Sequence, residues 1–171
     1  MDRVSIAELE YEISRLKEYL QDPHKLWSSL LIEKYPPVIH RLSLKLSITR
    51  TLVLHRLFKC QNTHAYMHSH SWPFAIKVIE GGYEMGVGFS SRRNVTPSVT
   101  YTTYVGAGNS YEMCSSDVWH YTKILEPVQE SYSIMLIGPR QRPRYAQNNF
   151  PLNVEQRAAI FTFFKSYSER L

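Results

Sequence analysis

Cysteine is scarce in this chain: Cys60 and Cys114 are the only two among 171 residues. Two thiols cannot staple a small fold, so stability has to come from a packed core, and nothing points to an oxidising compartment. Long apolar runs are missing too; none approaches the ~18 to 20 residues that a membrane-spanning helix needs. The opening Met1-Asp2-Arg3 has an early acid and no apolar stretch after it, so no secretory leader is read and a cytoplasmic location is expected. Glycine is sparse, and no Gly-rich loop precedes a helix where it could cradle a phosphate. No Ser/His/Asp arrangement is legible as a triad. No repeat, low-complexity tract or long linker divides residues 1–171, which reads as one domain.

The balance of charge is basic, +5 with histidine neutral, which raises the question of nucleic acid. The basic residues are scattered, and no zinc-finger, RNP or helix-turn-helix pattern directs them, so neither nucleic acid nor membrane is an expected partner. Two local clusters stand out, Arg92-Arg93 and Arg140/Arg142/Arg144. With 43% hydrophobic and 20% charged residues, the composition is that of a folded globular protein and not of a disordered one.

Residues 1–40 read as a helical extension. Ser5-Ile6-Ala7-Glu8 has the form of a capping box, and Ile6, Leu9, Ile13, Leu16 and Leu20 follow at helical spacing. Asp22-Pro23 ends that helix. A second helix is expected over His24 to Lys34, carrying Leu26, Trp27, Leu30 and Leu31 and stopped by Pro36-Pro37. These helices are expected to cover the outside of a sheet or to meet a second subunit, a homodimer being one reading of the apolar stripe. At the other end, Asn153-Val154-Glu155-Gln156 is a second capping-box signature opening a helix over 153–170, with Ile160, Phe163, Phe164 and Tyr167 on its apolar face.

Between them, over 41–146, the period is two. Leu42, Leu44, Leu46 and Ile48 alternate with Arg41, Ser43, Lys45 and Ser47. Further strands are expected over Thr51–Cys60, Phe74–Ile79, Gly82–Phe89, Val99–Val105, Ser110–Cys114, Val118–Leu125 and Ser131–Ile137. Gly81-Gly82 marks a tight turn. Several short strands punctuated by turns make a sandwich or barrel.

Within that region His68 and His70 are two apart, so a strand turns both imidazoles to one face. His120 lies on a later strand candidate that could close a metal site. His64 and Tyr66 share the parity of His68 and His70. His24, His40 and His55 lie in segments with no partner spacing and read as structural. Glu84 and Glu112 could supply a carboxylate from a neighbouring strand. Tyr66, Tyr83, Tyr111 and Tyr121 surround the histidines in sequence, as packing residues or as phenol donors beside a metal. Cys60 and Cys114 read as small buried hydrophobes, with ligation or cross-linking to a tyrosine as the sharper alternative. Arg140, Arg142 and Arg144 share one side of an extended run, either a solvated edge or a guanidinium clamp for an anion.

These residues resemble the motifs of the cupin superfamily. Its first motif sets a His-x-His pair, a glutamate and a closing glycine, and His68, His70, Phe74 and Gly81 fall on that spacing without a gap, with Phe74 at the glutamate position. The second motif is matched loosely from Gly108 to His120, with Ser115 and Asp117 at the proline and glycine positions and Ile124 at the asparagine. The run His68 to Phe74, then Gly81-Gly82-Tyr83, His120 and Gly138-Pro139-Arg140, also looks like small bacterial and phage cupin-like proteins. The resemblance covers residues 42–146. It implies an all-β core, a double-stranded β-helix or jelly-roll barrel flanked by two N-terminal helices and one C-terminal helix.

It also implies a divalent metal on His68, His70 and His120. Fe(II) is the first expectation, with Zn, Ni or Cu as alternatives. Phe74 in place of a carboxylate leaves the site one unit more positive, which suits an anionic small-molecule substrate. Tyr83 and Tyr111 are the candidate catalytic donors, and Phe74, Arg140 and Arg144 the candidate substrate contacts. Two function classes follow: a non-haem Fe(II)-dependent oxygenase acting on a small polar or anionic molecule, and a non-catalytic cupin that binds or senses a small ligand.

Overall fold

The structure, a computed structural model, describes residues 3–22, 24–33, 37–59, 66–92, 94–140 and 150–171. Two antiparallel sheets face each other, and helices cover the outside of the larger one. The apolar stripe near the N-terminus forms α1 (Ile6–Ser14) and α2 (Leu16–Gln21), separated at Arg15. Ser5 caps α1 by accepting the Glu8 amide, 3.1 Å. Glu8 does not reach back to complete the expected box; its carboxylate takes the Arg50 guanidinium instead, at 2.5 Å from Nε. An ion pair tying the helix to the sheet has replaced a local one.

The helix expected over His24 to Lys34 is a strand, β1 (Trp27–Ile32). Its apolar residues fit either period, and a short apolar run cannot be assigned by spacing alone. Pairing decides it: β1 lies antiparallel to β2 (Val38–Lys45), from Trp27 opposite Leu44 to Ile32 opposite Ile39. The sheet therefore begins before residue 41. The remaining elements follow the alternation closely: β3 (Thr51–Phe58), β4 (His68–Ser69), β5 (Phe74–Glu80), β6 (Gly82–Phe89), β7 (Tyr101–Gly106), β8 (Ser110–Met113), β9 (Val118–Lys123), β10 (Glu130–Ile137) and α3 (Val154–Ser168). The larger sheet runs β1-β2-β3-β10-β5-β8 and the smaller β4-β9-β6-β7. Gly81 turns the chain from β5 to β6 at φ 72°, where a side chain would also meet the Glu130 carbonyl oxygen.

Because the larger sheet is covered on both sides, its strands feed two cores. Leu42, Leu44, Leu52, Leu54, Ile134 and Leu136 face outward onto Leu9, Ile13, Leu16, Ile160 and Phe164 of the helices. Val53, Leu57, Phe74, Ile76, Met135 and Ile137 face inward onto Tyr83, Met85 and Val87 of the smaller sheet. α3 begins with the expected capping box, Asn153 and Gln156 bonding each other's amides at 2.8 and 2.9 Å. Among the described residues no helix is long and apolar enough to cross a membrane.

Candidate metal centre

The three histidines read from the sequence converge. His68 on β4 is the register partner of His120 on β9, so both imidazoles leave the same face of the smaller sheet. His70 keeps the parity of His68. The ring centroids are 4.6 Å apart for His68 and His120, 4.9 Å for His68 and His70, and 5.0 Å for His70 and His120. One ring nitrogen from each lies within 4.8 Å of the others, a group that could hold a metal ion. The Tyr66 carbonyl accepts the Nδ1–H of His68 at 3.1 Å. That contact fixes the tautomer and leaves the Nε2 lone pair for a ligand.

Charge chemistry agrees. Burial lowers the pKa of all three imidazoles, well below the ordinary value for His70 and His120, where repulsion from the neighbouring imidazoles adds to it; the hydrogen bond to the Tyr66 carbonyl works the other way at His68. Neutral rings at physiological pH are what ligation requires. The Nε2 atoms of His70 and His120 are 2.9 Å apart. Two nitrogens each about 2.0–2.1 Å from one ion stand about 2.9 Å apart at a right angle and about 3.4 Å at the tetrahedral angle. The spacing thus fits adjacent positions of an octahedron, and it also fits an N–H···N hydrogen bond between the two rings. The buried His120 Nδ1 has no partner among the described residues.

Phe74, at the position where a carboxylate was to be looked for, is fully buried and meets His70 edge-on at 4.9 Å. Neither alternative glutamate reaches the site. Glu84 pairs across β6 with residues of the outward parity and accepts the Tyr121 hydroxyl at 2.8 Å. Glu112 is opposite Ala75, an outward residue, and accepts the Ile6 amide at 3.3 Å, capping α1 from a distance. One-residue parity has turned both away. Cys114 goes with Glu112, its Sγ 3.7 Å from that carboxylate.

Tyr83 is buried in the inner core and the half-buried Tyr111 packs against that core, their hydroxyls 3.1 Å apart. Burial pushes both phenols up, Tyr111 to about 12, so both stay protonated and able to donate. Tyr111 reaches the cluster through Phe74, ring centroids 6.1 Å apart. Arg140 is exposed and lies 5.1 Å above the Trp72 ring, which is itself 5.5 Å from the His70 ring. His64, Cys60, Arg142 and Arg144 lie outside the described residues. His40 packs against Phe58 under α3, a structural place as expected.

His55, also read as structural, is buried on the inner face, opposite its half-buried register partner Arg41. The signal for His55 was present in Val53-x-His55-x-Leu57, an inward alternation with an imidazole in the middle. Arg41 has the inward parity because Leu42 and Leu44 lie on the helix-covered side of the sheet.

No family model matches the sequence, and no curated protein does. Solved structures resemble it in fold. Fe(II) HppE aligns with a TM-score of 0.51 at 14% identity, over 68% of this chain and 58% of that one. Hydroxypropylphosphonic acid epoxidase from S. wedmorenis gives 0.48 at 12%, over 64% and 55%. KdgF from Halomonas sp. gives 0.46 at 16%, over 64% and 87%. The chain thus spans little more than half the length of the two epoxidase structures, and what it shares with them is the arrangement of the sheets.

Proposed function

This chain has the cupin double-stranded β-helix fold, and on that premise we propose that it is a non-haem Fe(II)-dependent oxygenase acting on a small anionic molecule. The observation that carries the reading is the convergence of three neutral imidazoles, His68, His70 and His120, on one interior point. When bound there, the metal would supply Lewis acidity and redox chemistry toward oxygen and a chelating substrate. The similarity in fold to an iron-containing protein, Fe(II) HppE, is consistent with this choice.

The chain's own residues divide the remaining work. The Tyr66 carbonyl aims His68. Phe74 closes the side of the site where a carboxylate would neutralise charge, and its ring keeps water from that side. Tyr111 and Tyr83, hydrogen-bonded to each other, hold a proton at a phenol oxygen that one of them can offer to a developing anion. Trp72 walls the cluster beside His70, with Arg140 stacked on its outer side.

A second reading, a binding or sensing cupin without catalysis, is favoured by Phe74 alone, which removes a ligand. Untagged protein reconstituted with Fe(II) separates the two. Oxygen uptake that appears only with a chelating hydroxy acid, thiol or enol supports the oxygenase. Metal bound at one equivalent with no uptake across the panel, while a panel member binds unchanged, selects the second reading.

A further inference from the structure

Two sheets have four edges, and three of them are short or engaged. β1 is met by Phe150 in an isolated bridge at Leu31, β4 is two residues long, and Glu112 on β8 accepts the Ile6 amide. β7 is the fourth, with β6 as its one strand partner among the described residues. Its register with β6 runs without a break from Gly82 opposite Gly106 to Val87 opposite Tyr101. Tyr101, Thr102, Thr103 and Tyr104 are all exposed, the two tyrosines at 50% and 54%. One step beyond that register, Ala107 gives its amide to the Gly81 carbonyl at 3.1 Å. By the alternation of an antiparallel ladder, Thr103 and Val105 then bond to β6. Thr102 and Tyr104 turn their N–H and C=O groups to the open edge.

The sequence around that edge carries no charge. Residues 94–111 hold none of the chain's 20 Lys and Arg or 15 Asp and Glu residues. Open edges are ordinarily protected by a lysine, a proline, a bulge or a covering segment, and β7 has none of these. Val95, Val99, Tyr101 and Tyr104 are exposed along the same stretch, and so is Phe89 at the end of β6. The apolar stripe of α1 and α2, the sequence's other candidate for a subunit contact, is buried against the larger sheet. The missing charge also says what the edge accepts. A twofold axis sets a strand against itself, so any charge on it meets its own copy. A neutral strand of threonine and tyrosine meets itself without that cost, whereas a charged foreign strand would find nothing there to answer it.

We propose that β7 pairs antiparallel with β7 of a second copy of this chain, joining the two smaller sheets into one continuous sheet. A twofold of this kind keeps each face of the sheet on its own side, so the axis passes through a residue and not between two. With the axis at Thr103, Thr102 exchanges both backbone bonds with Tyr104 of the partner subunit, and Tyr104 does the same with the partner's Thr102. Tyr101 then lies opposite Val105 of the partner subunit on the inward face. That row leads to the histidines: Tyr101 is in register with Val87, Val87 with His120, and His120 with His68. The second copy thus covers the open end of the row that carries two of the site's imidazoles. The pairing stands whether or not an ion is held there.

Sedimentation equilibrium of the full, untagged chain tests the pairing. Wild type is expected at twice the chain mass of 20.0 kDa at micromolar concentration. Thr102→Pro removes an amide from the open edge and none that bonds to β6, a place where a strand tolerates proline. It should weaken the dimer by about tenfold or more. Thr103→Lys and Thr103→Asp should each be monomeric, because each sets like charges together at the axis. An equimolar mixture of the two should return to the dimer mass, a recovery that misfolded protein cannot give. Monomeric wild type overturns the inference, and uptake of a labelled peptide of residues 99–106 by that monomer would assign the edge to a foreign strand. A dimer that survives Thr102→Pro and both Thr103 variants lies on another surface and also overturns it, as does a mixture that stays monomeric.

Discussion

Phe74 and His70 meet edge to face, ring centroids 4.9 Å apart and planes at 79°. The phenyl ring occupies the flank of the histidine cluster on which a carboxylate would otherwise stand, and it is fully buried there. Replacing it tests what the flank is for. Phe74→Glu without metal should be destabilised by several kcal/mol, since it exchanges packed aromatic area for a buried carboxyl group. Adding a divalent metal should recover much of that loss and should weaken binding of a chelating hydroxy acid relative to wild type. Thermal unfolding with and without metal reads the first effect, and anion titration the second. A variant whose unfolding temperature ignores metal would show that this flank does not face an ion.

The ligand set makes a simpler claim. His68→Ala and His70→Ala should each fold and lose bound divalent metal, because two imidazoles compete poorly with water. His24→Ala, far from the cluster in sequence and on the exposed surface, should keep full occupancy. Elemental analysis of the three proteins side by side decides the matter, and equal occupancy would remove the assignment.

Acid should destabilise the fold through His55. Burial first, and the neighbouring Arg41 second, lower its pKa from 6.5 to about 3. The unfolded chain takes a proton on this residue as pH falls below 6.5, whereas the native ring stays neutral. Stability contributed by the neutral ring is therefore intact above pH 6.5 and is lost progressively down to about pH 3. The slope is about 1.4 kcal/mol per pH unit for one proton. His55→Gln should flatten the urea-unfolding free energy by about one proton's slope between pH 6 and 4. An unchanged slope would mean that the ring is accessible to a proton in the folded state.

The two cores should be separable. Phe164 on α3 is fully buried against the outward face, with the larger sheet between it and the histidines. Phe164→Ala should cost about 3–5 kcal/mol and lower the unfolding temperature, yet leave metal affinity within twofold. A parallel loss of metal would tie the helix layer to the site more closely than the strand parity indicates.

The strands and the three histidines were legible because each rests on a short-range rule. Alternation gives a strand, and residues two apart share its face. His68 and His70 were bound to emerge together, and the position of His120 needed only a return strand. What escaped was which face is which. Leu42 and Leu44 announce a buried side, but on a sheet covered by helices that side is the outer one, and Arg41 takes the inward parity. The same ambiguity put Glu84 and Glu112 near the metal on paper and turned them away in space. Trp27 to Ile32 failed for a different reason: its apolar residues suit a helix and a strand equally, and the pairing with β2 that settles the choice comes from another part of the chain.

The outer margin of β1 bears on how copies of this protein behave at high concentration. Leu31 gives its amide to the Phe150 carbonyl at 2.8 Å, and the Trp27 carbonyl accepts Arg157 at 3.3 Å. The segment entering the last helix thus occupies main-chain groups that a foreign strand would need as a template. Fibre-like stacking through this margin requires Phe150 to let go first, so resistance to aggregation on storage depends on how well a few residues ahead of α3 stay seated.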